Sequence, residues 1–176
     1  MALRVVAGEY KGRKLTAPPG ELTRPTLDRV REALFSILGP LDGVRVLDLF
    51  AGSGALGIEA LSRGAQDAVF VDNDPAAIQS VRSNLHALGI QAHVHKWEAM
   101  AYLGTRPGPF DLVFLDPPYS SADRLAGPLS QRLPPVLSDD ARIVSESDKR
   151  HPLALELPLA FERTYGDTRI AIHELG

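Results

Sequence analysis

Between Val44 and Gly57 the chain reads VRVLDLFAGSGALG, passing from an apolar run through a carboxylate, Asp48, into three closely spaced glycines, Gly52, Gly54 and Gly57. Glycine permits positive φ and lets backbone come close to a ligand, and a helix opening there offers unpaired N–H groups. In outline this is a nucleotide-cofactor site. The spacing Gly-x-Gly-x-x-Gly is weak evidence by itself, since a tight turn without a ligand also collects glycines. The apolar strand before it and the helical pattern after it supply the context the motif requires. A second acid, Asp72, follows the apolar run Ala68 to Val71 and falls 20 residues after Gly52. A carboxylate there can accept hydrogen bonds from ribose hydroxyls, which suits an NAD-type cofactor and the adenosyl half of S-adenosylmethionine equally. The motif that separates them is Asp116-Pro117-Pro118-Tyr119, after the apolar run Leu112 to Leu115. Two prolines cannot continue a strand ladder, so the strand stops abruptly and presents a carboxylate, a proline carbonyl and an aromatic ring together. A dehydrogenase has no evident use for that group.

Positioning these groups requires strands that end where the acids stand. Val44, Val46, Leu47, Leu49 and Phe50 predict a strand buried on both faces, and Ala55 to Leu61 a helix. From Val44 onward apolar runs alternate with helical patterns, which predicts parallel strands joined by right-handed crossovers. Asp74-Pro75 opens a helix that Gly89 closes after Leu88, and a weak strand follows at Ala92 to His95. Beyond the second motif come a helix over Ser120 to Gln131, a break at Leu133-Pro134-Pro135 and a fifth strand at Arg142 to Ser145. Phe161 to Tyr165 and Thr168 to His173, separated by Gly166-Asp167, predict a terminal antiparallel hairpin. Upstream, Arg4 to Val6 and Lys14 to Leu15 flank a glycine-bearing segment and predict a short hairpin projecting from the body. After an extended loop at Pro18-Pro19-Gly20, a helix N-capped by Thr26 turns Leu27, Val30, Leu34 and Ile37 to one face and stops at Gly39-Pro40. Arg29 and Arg31 fall elsewhere on that helix, as solvated charge. His93 and His95 share a strand face, but with no third ligand in view no metal site is expected.

A chain of 176 residues suits one core and is most simply one domain. Its parts are a basic arm at 1–22, a helix at 23–39 and a cofactor-binding and catalytic core at 40–176. The absence of cysteine excludes disulfides, thiolate zinc sites and a cysteine nucleophile. No apolar run approaches the roughly 20 residues of a membrane span and no signal-peptide core opens the chain, so a cytoplasmic protein is expected. The net charge of −3 argues against a polyanionic partner, yet residues 1 to 31 carry seven Lys/Arg against three acids. That arm is the candidate phosphate-binding surface.

The tetrad Asp116 to Tyr119 follows the Asp/Asn-Pro-Pro-Tyr/Phe pattern of the Rossmann-like S-adenosylmethionine methyltransferases that modify exocyclic amino groups. With RVVAGEYKGRKL (Arg4 to Leu15) and RPTLDRVREALFSIL (Arg24 to Leu38) added, the chain resembles the bacterial 16S rRNA guanine-N2 methyltransferases of the RsmD type. The resemblance covers nearly the whole chain and thins after Ser145. It implies a class I methyltransferase fold: a seven-stranded, mostly parallel sheet with helices on both faces and a small N-terminal hairpin extension. It further implies S-adenosylmethionine as cofactor, held by Asp48, Phe50, Ala51, Gly52, Ser53, Gly54, Gly57, Asp72, Asn73, Glu98 and Ala99, with Glu98 near the adenine. Catalysis falls to Asp116, Pro117, Pro118 and Tyr119. The first two accept hydrogen bonds from the amino group, and the ring of Tyr119 stacks on the base. Arg4, Lys11, Arg13, Lys14, Arg24 and Arg29 are the candidate RNA contacts, the partner being 16S rRNA within a small-subunit particle. Arg24 and Arg29 have a second reading, pairing with Asp28, Glu32 or an active-site carboxylate to close over the cofactor. Adenine-N6 methylation, glutamine methylation in proteins and a non-catalytic nucleotide- or RNA-binding module remain alternatives on the same residues.

Overall fold

A computed structural model of the protein describes residues 3–20 and 25–175, apart from the side chains of Pro25, Thr26 and Tyr119. Its strands are β1 (Arg45–Asp48), β2 (Asp67–Asp72), β3 (His93–Lys96), β4 (Phe110–Leu115), β5 (Leu137–Asp148), β6 (Leu159–Tyr165) and β7 (Thr168–Glu174). The α-helices are α1 (Pro25–Leu38), α2 (Ala55–Ser62), α3 (Pro75–Leu88), α4 (Ala99–Gly104) and α5 (Ala122–Arg132). All described strands join one sheet in the order β3-β2-β1-β4-β5-β7-β6. The first five pair in parallel and β7 runs against both neighbours. That is the expected class I methyltransferase architecture.

Alternation along each strand sends side chains to two hydrophobic layers. Val46, Phe70 and Phe114 meet α1, α2 and α3 through Leu34, Phe35, Ile58, Val81 and Leu85. Leu47, Val69 and Val113 meet α4 and α5 through Leu103, Leu125 and Leu129. With both faces covered, the strands read as continuous apolar runs. Local signals place the crossovers: the Asp74 carboxylate accepts from the Ala76 N–H at 3.0 Å, Pro75 opens α3, and Gly89 closes it at φ 69°.

The N-terminal hairpin departs from expectation. It lies on the body, with Val5 and Leu15 buried. Glu59 of α2, 0% exposed, accepts the backbone N–H of Val6 at 2.8 Å and of Ala7 at 3.0 Å. The Ser62 hydroxyl accepts from Tyr10 N–H at 2.9 Å and donates to Ala7 O at 2.6 Å. Asn84 of α3 exchanges both amide hydrogen bonds with the Thr16 backbone, at 2.7 and 2.9 Å. A segment whose backbone polar groups are satisfied by buried side chains is held down, and so does not project.

Helix α1 differs in its inward face. It starts at Pro25, which puts Thr26 inside the first turn and not at the N-cap. The buried stripe is Val30, Leu34, Phe35 and Leu38, whereas Ile37 is 38% exposed. Arg31 is not solvated charge but 5% exposed, because the Asp28 carboxylate at 2.7 Å and Glu59 at 3.9 Å accompany it inward. Strand β5 is longer than its apolar stretch, since its pairing with β4 jumps from Phe110↔Leu137 to Leu112↔Arg142 across a polar irregularity. Helix α5 begins after a 3₁₀ turn at Tyr119–Ser121, two residues later than expected.

Candidate active site

Strand order reverses between β1 and β4: the chain moves outward from β1 through β2 to β3, then crosses back to β4 and β5. In open α/β sheets such a switch point leaves a crevice at the carboxyl ends of the strands. Three acids stand there: Asp48 and Asp72 end β1 and β2, and Asp116 directly follows β4.

Two of these carboxylates brace the glycine loop. Asp48, 2% exposed, accepts from the Gly57 N–H at 3.0 Å and lies beneath the loop. Asp72 accepts from Gly52 N–H at 2.9 Å with one oxygen and from Asp74 N–H at 2.9 Å with the other. Gly52 and Gly54 take φ of 58° and 82°, which a side chain would resist. Gly57 is required by space: an added Cβ would overlap the Phe70 ring and lie 3.2 Å from the Asp48 carboxylate. Ala51 and Ser53 are buried, Phe50 half-buried and Asn73 exposed. Asn84 also donates to Ser53 O at 2.8 Å, so one buried amide ties the hairpin's tail to the loop.

Glu98 reaches this corner by a backbone link, the Trp97 N–H donating to Asp72 O at 3.0 Å. Its carboxylate caps α4 by accepting from Ala101 N–H at 2.7 Å, and Ala99 is buried at the first helical position. Trp97, 45% exposed, meets Tyr102 edge-on, which fits packing.

At the second motif Asp116 and Pro118 are exposed and Pro117 is buried. The Ser121 N–H bonds to Pro118 O at 2.9 Å and closes the turn without using the Pro117 carbonyl. Asp116 lines one cavity with Ser53, Ala55 and Leu56 from the glycine loop and α2, Leu27, Val30 and Arg31 from α1, and Glu146 from β5. The glycine loop and the tetrad, 62 residues apart from Gly54 to Asp116, thus face a common space. Two residues of that space were not legible in the sequence. Arg31 hides in a helix pattern, its Nη1 buried and without a hydrogen bond. Glu146 lies in SESD, and the signal that finds it is register: Leu115 pairs with Ser145, so Asp116, just past the end of β4, and Glu146, the next residue of β5, come to the same end of the sheet.

The basic candidates separate into groups. Arg4, Lys11 and Arg29 line one groove with Asp28 and Glu32 between hairpin and α1, and Arg4 pairs with Asp28 at 3.0 Å. Arg13 turns to α3 and donates to Ala87 O at 2.9 Å, and Lys14 is exposed. Arg24 lies outside the described residues. Of the two proposed closing arginines, Arg29 is exposed, while Arg4 and Arg31 take Asp28. Beside Asp116 a second groove runs along Asp148 and Arg150, where hydrogen bonds from Arg150 hold the Asp148 carboxyl down at about 2. His95 and His173 are lowered chiefly by burial, with His93 and Arg169 respectively as smaller causes.

Residues 3–174 match the family described as conserved hypothetical protein 95. YlbH of Bacillus subtilis (strain 168) is 42% identical over 181 residues, covering 98% of each chain. Ribosomal RNA small subunit methyltransferase D of Escherichia coli (strain K12) is 44% identical over 119 residues, 66% of this chain and 60% of that one. The chain belongs to the RsmD family. The solved structure of yhhF from Escherichia coli agrees with it at a TM-score of 0.83 and 36% identity, with all of both chains covered. Among the described residues no helix is long and apolar enough to cross a membrane.

Proposed function

We propose that the protein transfers a methyl group from S-adenosylmethionine to the exocyclic N2 amino group of a guanine in 16S rRNA. The observation that carries the reading is the cavity shared by Asp116 with Ser53 and Ala55 of the glycine loop. The RsmD relative's name, a methyltransferase of small-subunit ribosomal RNA, supports the substrate class. The residues of the crevice fit the cofactor. Each Asp72 oxygen accepts one backbone N–H, which leaves it acceptor capacity for ribose hydroxyls. Phe50, Ala51, Gly52, Ser53 and Gly54 supply backbone, Asp48 and Gly57 hold that backbone in place from below, and Asn73, Glu98 and Ala99 flank the adenine side. When bound, S-adenosylmethionine supplies a sulfonium methyl, an intrinsically good electrophile.

The remaining difficulty is the amine, whose lone pair is delocalised into the purine ring. The Asp116 carboxylate and the Pro117 carbonyl accept its two N–H bonds and favour a pyramidal nitrogen. Pro118 stiffens the turn and Tyr119 offers its ring to the unstacked base. The groove of Arg4, Lys11 and Arg29 receives the phosphate backbone, and Arg13, Lys14 and Arg24 are the further candidate phosphate contacts. The basic arm, α1 and the core that follows it work as one domain. The test is incubation with methyl-labelled S-adenosylmethionine and either free 16S rRNA or small-subunit particles, followed by nucleoside analysis. Labelled N2-methylguanosine is the expected product. N6-methyladenosine would replace the base assignment, and absence of transfer to either substrate would remove the reading.

A further inference from the structure

The cavity beside Asp116 contains more polar chemistry than holding one amino group requires. Glu146 lines it with Asp116, and both also line the adjoining groove with Pro117. Leu115 and Ser145 pair in parallel, about 4.8 Å apart as neighbouring strands are, and the residues that follow them, Asp116 and Glu146, therefore stand at the same end of the sheet. Independently of these acids, Arg31 lines the same cavity, 5% exposed, with Nη1 making no hydrogen bond. Its ion pair to Glu59 at 3.9 Å is too long for a hydrogen bond, and a buried donor that makes none costs free energy that a ligand acceptor would recover.

The walls therefore include two carboxylates and one buried guanidinium. The Watson–Crick edge of guanine presents the complement: two donors, N2–H and N1–H, and one acceptor, O6. Adenine offers an unprotonated N1 where guanine carries a proton, and a carboxylate repels that lone pair. Resting on the guanine-N2 reading above, we infer that Glu146 is a specificity-determining residue that accepts the N1–H of the target guanine beside Asp116. Asp116 and Pro117 act on the reacting nitrogen; Glu146 decides which base brings it.

The test compares guanosine with 2-aminopurine riboside at the methylated position of 16S rRNA ligated from fragments, once that position is mapped with wild-type protein. 2-Aminopurine keeps the N2 amino group, lacks O6 and carries a lone pair on N1. Glu146→Gln keeps the side-chain shape and adds an N–H that can donate to that lone pair. The ratio of kcat/KM for guanosine over 2-aminopurine is expected to fall by about 10-fold or more in Glu146→Gln, with calorimetric affinity for S-adenosylmethionine unchanged. Glu146→Asp, which retains the acceptor, is expected to keep a ratio close to wild type. Should Glu146→Gln fail to fold, Glu146→Ala serves, because removing the repulsion also lowers the ratio. A ratio within two-fold of wild type, in a folded variant whose wild-type parent forms N2-methylguanosine, would overturn the role of Glu146. Failure of the wild type to form N2-methylguanosine would instead overturn the functional reading, and the inference with it.

Discussion

Replacing Glu59 is expected to release the N-terminal hairpin and to cost more than any surface charge could. Its carboxylate is 0% exposed and accepts from Val6 N at 2.8 Å, Ala7 N at 3.0 Å and Arg63 Nε at 2.8 Å. Arg31 Nη1 stands 3.9 Å away. Hydrogen bonds to a charged acceptor contribute about 1.5–3 kcal/mol each but do not add when they share one group. Removing one partner of a buried ion pair typically costs about 3–5 kcal/mol, because the other charge stays buried. Glu59→Ala leaves Arg31, 5% exposed, and Arg63, 19% exposed at the side chain, with less compensation. A loss of about 3–5 kcal/mol is therefore expected in urea denaturation. At about 2–4 °C per kcal/mol for a chain of this length, the melting temperature should fall by roughly 10 °C. Glu59→Gln keeps one acceptor but loses the charge, so an intermediate loss is expected. Limited trypsin digestion provides the local readout, since Lys11 and Arg13 should be cut sooner once the hairpin lifts. A Glu59→Gln variant within about 0.5 kcal/mol of wild type, with unchanged cleavage, would refute the clamp.

Gly57→Ala is expected to destabilise by about 1–3 kcal/mol despite the better helix propensity of alanine, because its Cβ would overlap the fully buried Phe70; an unchanged urea midpoint would refute that crowding. Asp72→Ala should weaken S-adenosylmethionine binding by about 1.5–3 kcal/mol in calorimetry, and undiminished affinity would place the ribose elsewhere. His95 and His173 bind protons less readily folded than unfolded, so stability is full above the ordinary value of 6.5 and is lost as pH falls below it. Melting temperatures should decline between pH 7.5 and 5.5, and His173→Gln should flatten that decline; equal slopes for variant and wild type would exclude His173 as a contributor.

The core elements were legible because their signals are local. A carboxylate after the apolar run marked the ends of β2 and β4, and Asp74, Pro75 and Gly89 bounded α3 within the sequence itself, whereas β1 stops at Asp48, before the Leu49 and Phe50 that its apolar run includes. What escaped depends on partners far along the chain. Arg31 reads as surface charge until Asp28 and Glu59 are seen to follow it inward, and the hairpin reads as a projection until Glu59 and Ser62, more than 50 residues on, take up its N–H groups. Glu146 carries no motif, and its place beside Asp116 follows only from β4–β5 register. Ile37 fits the helical period yet is exposed, because α1 rotates to bury Phe35 against Phe114, ring centroids 5.7 Å apart.

The central claim, that Asp116 acts on the reacting nitrogen and not on the cofactor, is tested most directly by measuring both in one variant. For Asp116→Ala, the dissociation constant for S-adenosylmethionine is expected to stay within about two-fold of wild type, while labelled methyl transfer to 16S rRNA or small-subunit particles falls by about 100-fold or more. Near-normal transfer in that variant, or a loss of transfer matched by an equal loss of cofactor affinity, would contradict it.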